Sequence, residues 1–285
     1  MVQYEYHDVN RRGTIKRVDY ITHDWNGDPI EKYVNIYLPY RYDETNKYNI
    51  LYLMHGGGGN PDAWLDTCMV KNMLDYMIDQ KQIQPLIIAF PSYYKIPRET
   101  VKPDTDNERM QSQFYQEELI DETLPAVEAA CSTYAEELTK DGFRKSRMHR
   151  GFGGFSMGSC TTWFAFEKNI DYFAWFLPFS GDCWEVECLG GKNSPEKTAE
   201  ALHRYASESG YTPEEYFIYS ATGSEDPAAD GLGPQIEAMK KYTDTFVFDE
   251  DYAKGNLHYH LQEGFRHEYP AVCQYVYQIL PYLFR

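Results

Sequence analysis

Apolar positions along the chain follow two different rhythms. "TIKRVDYI" and "KYVNIYLP" alternate β-branched or aromatic residues with polar ones, which predicts an opening antiparallel strand pair. "NILYLMHG" and "PLIIAFP" are short, almost wholly apolar runs closed by Gly or Pro, as expected of strands buried on both faces. Between them, Leu65, Met69, Met73 and Met77 recur at helical spacing and predict a helix over Trp64 to Asp79. Phe114, Leu119, Leu124 and Val127 predict another over residues 111 to 130. Further on, strand-like "AWFLPFSG", "YFIYSATG" and "NLHYHLQEG" alternate with helical stretches. Those stretches run from after Ser156 to about Lys168, Pro195 to Ser207, Gln235 to Lys241 and Glu268 to Leu283. Strands alternating with helices imply an α/β fold with a mostly parallel central sheet and helices on both faces. In such sheets, functional groups gather at the carboxyl ends of the strands.

No repeat, low-complexity tract or Pro/Ser-rich linker interrupts this pattern, so residues 1–285 read as one domain. Two polar stretches stand outside it. Ser92 to Arg109 reads as a surface excursion or lid, and 185 to 193, "EVECLGGKN", as a second insertion.

Composition narrows the function by exclusion. A formal charge of −17 argues against nucleic acid and against an anionic membrane surface as partners. No run approaches the length of a membrane span, and "MVQYEYHDVN" lacks the basic-then-apolar order of a signal peptide. The expectation is either a cytosolic protein or an exported module whose signal lies outside this sequence. The 26 tyrosines suit packing and contacts to sugars or aromatic ligands. The six cysteines form no C-x-x-C pair, which argues against a zinc ribbon. Only Cys183 and Cys188 are close in sequence, and both a bridge and two free thiols stay open.

The candidate chemistry begins at "GFGGFSMGS", which contains the G-x-S-x-G pattern Gly154-Phe155-Ser156-Met157-Gly158. The pattern alone is common, but here it lies between a short apolar run and a helix. In a strand–turn–helix elbow the serine takes a strained conformation, and glycines at 154 and 158 remove side chains that would collide. A serine hydroxyl is a weak nucleophile and needs a base, a group to orient that base, and oxyanion donors.

Other strand ends offer all three. His267 follows the last strand and is the candidate base. Asp226 in "SATGSEDP" follows the penultimate strand and is the candidate acid, with Asp182 the rival and Asp230 a weaker one. The order Ser…Asp…His is that of α/β-hydrolases. "YLMHGGGGN" places glycines directly after a buried strand. It offers the backbone N–H of Gly57 (Gly58 as alternate) beside that of Met157 as oxyanion donors. No G-K-[ST] follows, so a phosphate cradle is disfavoured. His258, His260, Glu263 and His267 form a possible metal set, but His267 is already required as the base. Neighbouring acids such as Glu117 and Glu118 read as solvated faces and not as a glycosidase dyad.

Taken in order, "YLMHGGGGN", "GFGGFSMGS", "LPFSGDCW", "ATGSED" and "GFRH" resemble the feruloyl esterases of carbohydrate esterase family 1. The likeness is nearest to the modules of clostridial cellulosomal xylanases and anaerobic rumen fungi, and it runs from about Lys32 to the C-terminus. It implies an α/β-hydrolase fold, cleavage of ferulate esters from arabinoxylan side chains, and no metal or organic cofactor. It further implies a secreted protein that forms part of a larger modular or cellulosomal assembly. Carried over by position, it makes Ser156 the nucleophile, His267 the base and Asp226 the orienting acid, with Trp184 lining the pocket for the phenolic ring. Within the fold the alternatives are an acetyl xylan esterase, an S-formylglutathione hydrolase-like thioesterase or a mycolyl-type acyltransferase. Outside it, the alternative is a carbohydrate-binding pseudoenzyme.

Overall fold

The computed structural model describes residues 3–95 and 104–285. Among the described residues, eight strands form one sheet: β1 (Thr14–His23), β2 (Pro29–Leu38), β3 (Ile50–Met54), β4 (Ile87–Phe90), β5 (Arg150–Phe155), β6 (Trp175–Phe179), β7 (Phe217–Gly223) and β8 (Leu257–Gln262). Their spatial order is β1-β2-β4-β3-β5-β6-β7-β8. β1 pairs antiparallel with β2, and β2 antiparallel with β4; every later pairing is parallel. β1 is mostly exposed, and its burial alternates only from Val18 to His23, while β3 to β7 are buried throughout, which is why their sequences are runs and not alternations.

The helices are α1 (Ala63–Thr67), α2 (Val70–Asp79), α3 (Thr105–Glu118), α4 (Leu124–Ala129), α5 (Lys140–Lys145), α6 (Met157–Asn169), α7 (Gly190–Asn193), α8 (Pro195–Ser209), α9 (Ala229–Met239) and α10 (Tyr269–Ile279). They cover both faces. Tyr52 and Met54 of β3 pack with Tyr115 of α3, Trp163 of α6, Leu202 of α8 and Ile236 of α9. Leu51 and Leu53 point the other way, to Trp64 of α1, Met73 of α2 and Val276 of α10. Each fully buried side chain of this size contributes on the order of 2 kcal/mol.

Three expectations need correction. The single helix over Trp64 to Asp79 is two helices, broken at Met69, whose φ is +50° and whose side chain is 54% exposed. Met69 therefore does not extend the buried face that its spacing suggested. The helix over 111 to 130 starts earlier, because the Asp104 side chain accepts the Asn107 N–H and caps Thr105, with Asp106 and Glu108 favouring the N-terminal dipole. A π turn at Leu119–Thr123 then joins α3 to α4, and Phe114 lies exposed on the outside, edge-on to Trp25. The helix expected from Gln235 starts at Ala229 instead: Gly231, Gly233 and Pro234 are inside it. Of the two states left open for Cys183 and Cys188, the structure has the free thiols. Of the expected Ser92 to Arg109 excursion, residues 96–103 lie outside the described residues, and Thr105 onward is helix.

Candidate active site

β5 runs between β3 and β6, and the chain turns at its end into α6. The turn residue is Ser156, with φ 57° and ψ −115°, a strained backbone for any residue with a side chain. The packing leaves no alternative. A Cβ on Gly154 would lie 2.6 Å from the Gly158 backbone, and one on Gly158 would lie 2.6 Å from the Met54 carbonyl oxygen. The Ser156 N–H donates to the Phe179 carbonyl of the neighbouring strand at 3.0 Å, and its own carbonyl accepts from Ser159 and Cys160 in α6. The hydroxyl is thereby presented at the carboxyl end of the sheet.

His267 and Asp226 arrive at the same edge from the loops after β8 and β7. His267 Nε2 is 2.9 Å from Ser156 Oγ, and Nδ1 is 2.8 Å from Asp226 Oδ1. An ionised carboxylate only accepts, so Nδ1 carries the proton and Nε2 is free to accept the serine hydroxyl. Burial pushes the Asp226 carboxyl up, but the hydrogen bonds from His267 and the Ala228 N–H outweigh it and hold the group below its ordinary value. The imidazole keeps 37% of its side chain exposed, so water reaches it. Phe155 packs on its ring at 4.6 Å between centroids.

The rival acids are engaged elsewhere. Asp182 accepts the Trp184 indole N–H at 2.9 Å and the Gly191 N–H at 2.8 Å. Asp230 pairs with Lys192 at 3.0 Å on the surface. His258 binds the Asp249 carbonyl and His260 binds Gln262, so neither joins His267 in a metal set. Among the described residues, no group of three or more His, Cys, Asp or Glu side chains is arranged to hold a metal ion.

The glycine run after β3 lies against the elbow: a Cβ on Gly57 would sit 3.3 Å from Met157 Cγ. The Gly56 N–H donates to the Tyr269 hydroxyl at 3.0 Å, the Gly58 N–H to the Tyr94 hydroxyl at 2.5 Å, and the Gly59 N–H to the Gly56 carbonyl. Among the described residues, the Gly57 and Met157 N–H groups have no partner. Gly57 is therefore better placed as a donor than Gly58. His55 anchors the run, with Nδ1–H donating to the Gly56 carbonyl and Nε2 accepting from Ser92, each at 2.8 Å. Burial pushes this imidazole down to about 4, so it is neutral.

A cavity of about 540 Å³ opens beside these groups, lined by Gly57, Ser156, Met157 and His267 together with Glu108, Asp182, Trp184 and Leu189. Trp184 is held from two sides: by Asp182 at its indole, and by Arg109, whose guanidinium donates to the Trp184 and Glu185 carbonyls at 2.6 and 2.7 Å. Cys183 N–H is fixed by Gln235 at 2.7 Å. Sequence reasoning missed Tyr94, Tyr269, Glu108 and Arg109 as parts of the site. Only Tyr94 carried a usable signal, because "SYY" directly follows the apolar run of β4, at a strand end.

Residues 30–277 match the Esterase family. The chain belongs to that family. This esterase is 39% identical over 254 residues to endo-1,4-beta-xylanase Y of Acetivibrio thermocellus, covering 89% of this chain and 22% of that protein. It is 25% identical over 189 residues to an endo-1,4-beta-xylanase/feruloyl esterase of Xylanibacter ruminicola, covering 59% of this chain and 24% of that protein. The chain thus spans about a quarter of the length of these curated relatives. Among solved structures, a serine-to-alanine mutant of the feruloyl esterase module from Clostridium thermocellum, complexed with sinapinate, matches with TM-score 0.84. It is 37% identical, with 100% of this chain and 94% of that one covered. The ferulic acid esterase of Anaeromyces mucronatus matches with TM-score 0.72 over 99% of this chain and 94% of that one; at 18% identity that likeness is one of fold. The esterase has the α/β-hydrolase fold, and it is a carboxylic ester hydrolase.

Proposed function

We propose that this esterase hydrolyses feruloyl and related hydroxycinnamoyl esters on arabinoxylan side chains, through an acyl-enzyme on Ser156. The observation that carries the reading is the unbroken hydrogen-bonded line Asp226–His267–Ser156 opening on the cavity that Trp184 lines. The relatives' names supply the substrate class. His267 Nε2 takes the proton of Ser156 as Oγ attacks the ester carbonyl, and the N–H groups of Met157 and Gly57 hold the oxyanion. The alcohol departs with that proton. Water, deprotonated by the same imidazole, then attacks the acyl-enzyme, and collapse of the second tetrahedral intermediate releases the acid and restores Ser156. Asp226 keeps the proton on Nδ1 throughout. Trp184 offers a flat apolar surface to the phenolic ring. These steps use the chain's own residues and need no metal or organic cofactor. The reading extends to an exported, single-domain module of a larger protein that degrades plant cell walls; the relatives' xylanase names and the quarter of their length that the chain spans support the module and its xylan substrate.

The test compares methyl ferulate, methyl sinapate and an aryl acetate on the wild type and on Ser156→Ala. The variant should lose about 10⁶-fold in kcat. Turnover surviving in it overturns the mechanism, and fast acetate turnover with negligible ferulate turnover overturns the substrate class.

A further inference from the structure

Four consecutive glycines after β3 are an unpromising place to hold a hydrogen-bond donor still. Glycine samples more of backbone space than any other residue, so an unrestrained run would spend much of its time with the Gly57 N–H turned away. The peptide units on either side of that N–H are nevertheless both tied down, and by the same chemistry. Gly56 N–H donates to the phenol oxygen of Tyr269, and Gly58 N–H donates to that of Tyr94.

Neither phenol is itself loose. Tyr269 opens α10 directly beyond His267 and packs edge-on to Trp64 and Phe155, at 5.3 and 4.8 Å between centroids. Tyr94 donates its proton to Glu108 at 2.7 Å, and fully buried Tyr93 donates to the other oxygen of the same carboxylate at 2.5 Å. A phenol that gives its proton to a carboxylate is a stronger acceptor for the amide behind it. Glu108 lies in the first turns of α3, where the Asp104 cap fixes the backbone.

We infer that Tyr94 and Tyr269 are positioning residues that clamp the peptide units flanking Gly57 and so hold its N–H ready for the oxyanion, with Glu108 setting Tyr94. This rests on the reading of Gly57 as an oxyanion donor. Preorganisation of that donor matters in the transition state and not in substrate binding, because the charge it meets develops only as the serine attacks. The clamp acts on every ester alike, whatever its acyl group.

The experiment measures kcat and KM for methyl ferulate and for an aryl acetate on wild type, Tyr94→Phe, Tyr269→Phe, the double variant and Ser156→Ala. Each Phe variant loses one hydroxyl and keeps its ring. Each single variant should lower kcat about tenfold on both substrates with KM within about twofold, and the double variant about a hundredfold. Glu108→Gln should fall between Tyr94→Phe and wild type. A double variant with wild-type kcat, or with its loss confined to KM, overturns the clamp while Ser156→Ala stays inactive. Should the double variant fail to fold, the two single variants decide by the same split between kcat and KM. Turnover by Ser156→Ala instead overturns the reading beneath it.

Discussion

Around Ser156 the backbone packs against backbone, whereas around Trp184 the backbone is held by side chains that come from distant parts of the chain. Gly154 and Gly158 let β5, α6 and the end of β3 approach so closely that a single Cβ would meet carbonyl atoms at 2.6 Å. On the Trp184 side, Gly191 and Gly231 instead make room for the Asp182 side chain, whose atoms lie 2.7 and 2.9 Å from the Cβ positions those residues lack. Asp182, Arg109 and Gln235 then fix the 183–185 segment by hydrogen bonds. A wall of close-packed backbone cannot relax around an intruding atom, because interiors are packed like crystals. A wall of side-chain hydrogen bonds can exchange one partner for another. The elbow is accordingly fixed in shape, and the Trp184 side has room to adjust.

The difference is sharpest in the buried aspartates of the site, Asp226 and Asp182. Asp226→Asn puts an amide where His267 needs an acceptor and lets the ring take the wrong tautomer; kcat should fall about 10⁴-fold. Asp182→Asn disturbs only the Trp184 and Gly191 contacts, so KM for methyl ferulate should rise while kcat stays within a few-fold of wild type. Steady-state kinetics on both folded variants decides, and a larger kcat loss at Asp182 would move the orienting role there. Next in size, Gly158→Ala should cost about 3 kcal/mol of stability, read as a lowered denaturant midpoint, because the methyl meets the Met54 and His55 carbonyls. A variant as stable as wild type would show that the elbow yields after all.

What could be read from the sequence divides along the same line. The strands of the centre were legible because burial on both faces writes itself as a run, and the elbow because its glycines are neighbours in sequence. His267 and Asp226 were legible as positions after strands, since the sheet delivers every strand end to one edge. The Met69 break was not: an apolar residue at helical spacing gives no sign that its backbone turns left-handed. Neither was the start of α9, where Gly231 reads as a breaker but serves the packing of Asp182. The phenol clamp and the acyl wall join residues such as Gly56 and Tyr269, or Arg109 and Trp184, that only the finished sheet brings together.

Arg109 gives the gentlest test of the contrast. Its guanidinium donates to two successive carbonyls, those of Trp184 and Glu185, and so sets where the indole stands without touching the cavity's reacting end. Removing it leaves two carbonyls to find water, a loss in the range of one or two charged hydrogen bonds spread over a segment that Asp182 still holds. Arg109→Ala should therefore raise KM for methyl ferulate about tenfold, roughly 1.4 kcal/mol, with kcat little changed and the aryl acetate unaffected. Arg109→Lys, which reaches one carbonyl but not both in a planar fork, should fall between. Parallel losses on ferulate and acetate would mean that the acyl wall and the elbow move as one body, and the division drawn between them would fail.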